Sequence, residues 1–133
     1  MKSLALALTL LLVSNSSFAT RNPQIRACVS VGGQFFVVDA EFDEVGLCRI
    51  DAALVGSIDI LNRDSGIEVP LSLFNYKKGV KSCSSQNLTT LYTFEGESIY
   101  VCQYSDGSIL DVETLTTGKN SPRNFELNKV LGL

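Results

Sequence analysis

The sequence predicts an α+β protein that is mostly β: a short N-terminal helix followed by antiparallel hairpins, arranged as two similar disulfide-stapled units. Three observations predict it. An Asn-Pro start and a Gly-Gly stop bracket one short stretch with helical spacing, between Asn22 and Gly33. Short apolar, β-branched runs separated by turn residues fill most of the remaining chain. Four cysteines, Cys28, Cys48, Cys83 and Cys102, are spaced so that each successive pair flanks one hairpin.

The elements follow in order. Asn22 is an N-cap and Pro23 suits the first turn, while Ile25, Cys28 and Val29 share one face, so residues 23–31 read as a helix that turns Cys28 toward a sheet. Residues 34–39 (QFFVVD) read as a strand, residues 41–44 as an acidic turn and residues 45–50 as the returning strand. Residues 51–55 read as a connection. Residues 57–61 (SIDIL) alternate and read as a third strand, with a helix start as the rival. Residues 62–66 (NRDSG) are a turn cluster. Pro70 makes residues 67–75 either an edge strand or a helix beginning at Leu71. Residues 76–81 (YKKGVK) read as a basic loop. Residues 89–95 and 98–104, turning at Gly96, form a second hairpin. After a tight turn at Ser105-Asp106-Gly107, residues 108–115 alternate as another strand and residues 116–123 form a loop. Residues 125–130 read as a last strand or a helical turn.

The first 19 residues carry the parts of a secretory signal: Lys2, an apolar run from residue 4 to 13, and a small-residue stretch ending at Ala19. The run is too short to span a membrane, which takes about 20 apolar residues. The predicted organisation is therefore a signal peptide at 1–19, a helix-plus-hairpin unit at 20–75 and a second β-rich unit at 76–133. No transmembrane segment is expected after cleavage, and the expected location is periplasmic or secreted. Asn87-Leu88-Thr89 matches a glycosylation sequon, which has meaning only in a eukaryotic secretory pathway.

Charge and composition exclude several functions. The chain of 133 residues has 11 basic and 14 acidic side chains and a pI near 4.8. Nucleic-acid binding needs a basic stripe and is not expected. The absence of histidine removes the commonest general base and the commonest metal ligand. No catalytic residue, metal or cofactor is expected. The cysteines, spaced by 20, 35 and 19 residues, lack the C-x-x-C pairs of a zinc site. In an oxidising compartment an even count reads as a disulfide framework. Of the three connectivities, Cys28–Cys48 with Cys83–Cys102 is favoured because each pair flanks a similar segment.

The halves resemble each other. Each has a cysteine, a hairpin and a second cysteine, followed shortly by Gly-Ser-Ile, at Gly56-Ser57-Ile58 and Gly107-Ser108-Ile109. A duplication and a chance likeness of two β-rich segments are both open readings. If the repeat is real, two three-stranded units either pack face to face or join into one sheet.

Asn22-Pro23, Cys28, Gly32-Gly33, Gly46-x-Cys48 and the segment from Gly56 together resemble a small bacterial family of exported domains of unknown function, often labelled hemolysins. The resemblance covers residues 22–62. The family's tryptophan-bearing helix has no counterpart here, since the chain has no tryptophan. The resemblance implies an exported bacterial protein with a structural disulfide and no transferable catalytic residue. The chain after the leader shows no membrane-active stretch, which argues against lysis.

The expected function is a non-enzymatic, inhibitor-like module that binds another exported or envelope protein through loops on a rigid frame. The candidate loop residues are Glu41, Asp43, Glu44, Lys77, Lys78, Lys119 and Arg123. A self-associating envelope protein is the alternative. A carboxylate enzyme or calcium binder ranks last. Asp39-x-Glu41-x-Asp43 resembles the start of an EF-hand loop but lacks its glycine at position six and has Ile50 at position twelve.

Overall fold

A computed structural model describes residues 22–65 and 69–133 of the protein. The expected signal peptide lies outside the described residues. The fold is α+β: helices around a closed six-stranded antiparallel barrel of strand order β1-β2-β3-β6-β5-β4. The elements are α1 (Pro23–Ser30), β1 (Gln34–Asp39), β2 (Glu44–Ile50), β3 (Ala53–Gly56), α2 (Ser57–Ser65), α3 (Leu71–Lys78), β4 (Leu88–Tyr92), β5 (Ser98–Gln103), β6 (Ile109–Asp111), α4 (Val112–Thr117) and α5 (Phe125–Leu131). A 3-10 turn, Pro122–Asn124, precedes α5.

Helix α1 begins and ends where the punctuation places it. The Asn22 side chain accepts from the Gln24 amide, and Gly32 closes the helix with φ +81°. Gly33 has another duty. A Cβ there would stand 2.3 Å from Cys48 Sγ and 2.9 Å from Cys28 Sγ, so a disulfide passes where a side chain would be.

Several segments differ from expectation. The third strand is Ala53–Gly56, read from sequence as a connection, and residues 57–65 form helix α2 rather than a strand and a turn. Ser57, Asp59 and Ile60 are all buried; alternation would put Asp59 and Ile60 on opposite sides, whereas a helix lets Ser57 and Ile60 share one face at i, i+3. A two-residue turn, Asp51-Ala52, joins β2 to β3, with Asp51 in the left-handed region at φ 53°. The helical alternative holds at Leu71, giving α3, which takes in Tyr76, Lys77 and Lys78 from the expected basic loop and crosses residue 75. Strand β6 ends after three residues because Asp111 caps α4, its side chain accepting from the Thr114 amide. Residues 125–131 are helical.

The two halves share one strand topology. Phe35, Cys48, Val55, Leu110, Cys102 and Leu88 are successive partners across the sheet. The row is two-fold about the Val55–Leu110 pair. Each half contributes a first strand, a cysteine on the second strand and a third strand. The first strands meet at Asp39 and Tyr92, the third strands at Val55 and Leu110, and these two seams close the barrel. The units thus join into one sheet. The disulfides are Cys28–Cys48 and Cys83–Cys102.

Alternation sorts the core. Val38, Leu47, Leu91, Val101 and Ile109, all from strands, fill the barrel. Cys48, Ile50, Val55, Cys102 and Leu110 face the other way and meet Ala27, Ile60, Leu73, Tyr76, Leu115 and Leu127 from the helices. Full burial of one such side chain contributes about 2 kcal/mol.

The β3–β6 seam is one residue pair long, and carboxylates complete it. The Leu54 amide donates to Asp111 Oδ1 at 2.8 Å, and the Ile109 amide donates to Asp59 Oδ2 at 2.8 Å. Asp111 reaches across directly. Asp59 reaches back from the first turn of α2, and Gly56 leaves room, since a Cβ there would stand 2.6 Å from Asp59 Oδ2. Two amides that the short ladder leaves unpaired are satisfied this way.

Candidate functional site

The pseudo-symmetry exposes one face. In the first half α1 lies on the outer side of β1–β2. Gly46 permits the close approach: a Cβ there would stand 2.6 Å from Ser57 Oγ, 2.9 Å from the Phe35 ring and 3.1 Å from Gln24 Oε1. In the second half the position matching Gly46 is Tyr100, since Val37–Gly46 and Thr90–Tyr100 are equivalent pairs of the two hairpins. Helix α3 packs against β6 instead, and among the described residues no helix lies over the outer side of β4–β5 at Tyr92 and Tyr100, although Cys102 on the same side is buried. Tyr100 is 65% exposed, and Leu88 and Tyr92, on the same side of the hairpin, are half-exposed. Beside them runs an open groove of about 630 Å³, lined in part by Leu54, Leu88, Tyr100, Val112 and Glu113.

The Asp39–Tyr92 pairing brings the two hairpin tips to the same end of the barrel. Each tip exposes a phenylalanine, Phe42 at 92% and Phe94 at 65%, amid acids: Glu41, Asp43 and Glu44 on one, Glu95 and Glu97 on the other. The turns are ordered by their own polar groups. The Ala40 amide donates to the Asp43 carbonyl, the Glu44 amide to Asp43 Oδ1, and the Glu97 amide to Thr93 Oγ1. The resulting surface is aromatic and acidic, and contiguous exposed apolar groups of this kind mark interaction sites.

The sequence-predicted residues fall into two groups. Glu41, Asp43 and Glu44 belong to the exposed tip. The basic candidates sit elsewhere and are tied into the fold. Lys77 and Lys78 occupy the last turn of α3, favourable for the helix dipole, and Lys119 Nζ donates to the Lys77 carbonyl at 2.8 Å. Lys78 also lies 5.8 Å from the Phe74 ring centroid.

Arg123 is a structural clamp. Its guanidinium donates to the Ala52 carbonyl, Thr114 Oγ1 and Asn124 Oδ1, and stands 3.5 Å from Asp111 and from Glu113. Arg123→Ala would leave Asp111, 6% exposed, without its counter-charge. We expect a loss of about 2 kcal/mol in urea unfolding, and a change too small to measure would contradict the clamp.

Sequence reading missed Tyr92, Phe94, Tyr100 and Leu88 as surface groups. The available signal was that β4 and β5 carry apolar residues on both sides of the pleat, Leu91 and Val101 inward, Leu88, Tyr92 and Tyr100 outward.

A second polar cluster lies between α2, α3 and the β5–β6 turn. Asp59 Oδ2 accepts from Ser72 Oγ at 3.2 Å in addition to the Ile109 amide. Asp106 accepts from the Leu71 amide, the Ser108 amide and Ser108 Oγ, and Ser108 Oγ in turn accepts from the Ser72 amide. Burial pushes Asp59 up to about 7; the Asp106 charge adds to this, and the two hydrogen bonds oppose it. Desolvation also pulls Asp106 upward, but its hydrogen bonds from Ser108 and Leu71 outweigh that and hold it below the usual carboxylate range.

Among the described residues no group of three or more acidic or cysteine side chains is placed to hold a metal ion. No helix among them is long and apolar enough to cross a membrane. No protein-family model matches the chain, and no curated protein or solved structure matches it. The two disulfides fit an oxidising, extracytoplasmic compartment.

Proposed function

We propose that the protein is a non-enzymatic binding module, inhibitor-like in build, that engages another exported or envelope protein in the periplasm or outside the cell. The observation that carries this reading is the outer side of β4–β5, where Leu88, Tyr92 and Tyr100 stand exposed among the described residues while the equivalent side of β1–β2 lies under α1. Tyrosines on a rigid sheet supply contact area at little ordering cost, and tyrosine is enriched among residues that dominate binding energy. The disulfide on β5 stiffens the same hairpin. Its acidic fringe, Glu95, Glu97 and Glu113 with the Glu41–Glu44 tip, favours a basic partner and sets a salt-dependent encounter rate.

The test is capture of exported proteins on immobilised oxidised protein, wild type beside a Tyr92→Ser/Tyr100→Ser variant. The expected result is a basic protein retained by wild type, weakened by salt, and lost at least tenfold in the variant while its melting temperature stays unchanged. Equal capture by both would remove this face from the account.

A further inference from the structure

The cleft between α2, α3 and the β5–β6 turn lies apart from the proposed binding face. It is a cavity of about 300 Å³ lined by Ile58, Asp59, Asn62, Pro70, Asp106, Gly107 and Ser108. We propose that it binds a protonated alkyl amine, with the ammonium donating to Asp59 and lying in the field of Asp106, and the alkyl stem against Ile58 and Pro70.

Four observations support this. Asp59 is 2% exposed and lines the cavity, yet both its hydrogen bonds go to Oδ2, which leaves Oδ1 with lone pairs for a donor in the cleft. Asp106 is oriented by three hydrogen bonds and retains its negative charge beside the cavity. Among the described residues the lining holds two carboxyl groups and no lysine or arginine. The nearest cation in sequence, Arg63, donates to the Val130 carbonyl and lines a different pocket with Leu73, Lys77 and Leu131. The volume suits a short amine or one lysine side chain.

The chemistry follows from charge. Two carboxyl groups share a poorly solvated site, and burial together with the Asp106 charge discourages ionisation of Asp59. An ammonium relieves both costs, because it supplies three donors and one positive charge. Binding near neutral pH therefore releases the Asp59 proton to solvent, and affinity rises with pH until Asp59 is fully ionised. A neutral isostere gains none of this.

The ammonium has two possible sources, a free small amine or a lysine side chain on a polypeptide. The test is an NMR titration of the isotope-labelled oxidised protein with n-butylammonium, with n-butanol, and with a blocked glycyl-lysyl-glycine peptide, at matched ionic strength. The expected result is saturable shifts at Ile58, Asn62, Gly107 and Ser108 with a dissociation constant on the order of 1 mM for butylammonium, and no saturation with butanol. Saturation by the peptide as well assigns the site to lysine side chains; saturation by butylammonium alone assigns it to free amines. Asp106→Asn, which keeps an acceptor for the Leu71 amide, should weaken binding about tenfold. If that variant does not fold, the pH dependence of wild-type binding replaces it, with affinity expected to rise from pH 5.5 to 7.5. Equal response to butanol and butylammonium, no shift in the cleft, or affinity independent of pH and of Asp106 would overturn the proposal.

Discussion

Loss of the Cys28–Cys48 disulfide is expected to destabilise the protein by about 3 to 5 kcal/mol. The two disulfides close loops of nearly equal length, with sequence separations of 20 and 19, so the chain-entropy part is about 3 kcal/mol for each. Their packing differs. Cys28 and Cys48 are both fully buried between α1 and the barrel, whereas Cys83 is only partly buried in the coil after α3. Cys28→Ala/Cys48→Ala should therefore cost more than Cys83→Ala/Cys102→Ala, by about 1 kcal/mol or more from the lost contacts. Gly33→Ala should approach the cost of losing the first disulfide, because its Cβ collides with both sulfurs. In the Cys28→Ala/Cys48→Ala background the same glycine substitution should cost much less, and that non-additivity is the signature of the contact. Equal costs in the two backgrounds would show that Gly33 is kept for its backbone alone.

Stability should fall as pH rises from 4 to 7, the reverse of ordinary acid denaturation. Asp59 has a folded value of about 7 against 3.8 when unfolded. Below 3.8 the group is protonated in both states and costs nothing. Between the two values the unfolded chain releases the proton and the folded chain retains it, so stability drops steadily. Above 7 both states are ionised and the full penalty, up to about 4 kcal/mol, is in place. Asp106 works with the opposite sign but below the usual carboxylate range, so its contribution is lost only at more acid pH. Asp59→Asn keeps an acceptor for the Ile109 amide and removes the titration. Urea unfolding at pH 4.5 and 7.5 should show wild type clearly weaker at the higher pH and the variant nearly level. A wild type equally stable at both would mean that Asp59 ionises freely in the folded protein.

The legible and illegible parts of the sequence separate by range of interaction. Helix α1, both hairpins and the disulfide pairing could be read because their causes are local: a cap, a glycine stop, β-branched runs and similar loops between cysteines. The parallel between the halves was visible in Cys, hairpin, Cys and Gly-Ser-Ile, and it corresponds to the two-fold row centred on Val55 and Leu110. The Gly-Ser-Ile segments themselves are not equivalent in conformation. The first opens helix α2, while the second enters strand β6, and only tertiary contacts decide between them. Ser57–Ile60 is helical because Ile60 joins the core with Leu73 and Leu110, and because Asp59 must reach the seam amide. Closure of the barrel was not legible, since it rests on two seams between residues distant in sequence, Asp39 with Tyr92 and Val55 with Leu110. The candidate face follows from that closure. Its acidic tip was readable as a turn, but whether Tyr100 on β5, the second strand of its hairpin, is covered depends on the position of α3, which the sequence does not show. The structural partners of Arg123 were not legible for the same reason: Ala52, Asp111 and Thr114 are remote or lie on another element.

The central claim is that the uncovered β4–β5 face meets a partner, and a photo-crosslinker placed on it tests this most directly. Benzoylphenylalanine would replace Tyr100 in the cell that makes the protein, with the similarly exposed Phe125 of α5 replaced as control. The account predicts one discrete adduct with another exported protein at position 100 and none at position 125. An adduct only at position 125, or none at position 100 while the native protein still co-purifies with a partner, would contradict it.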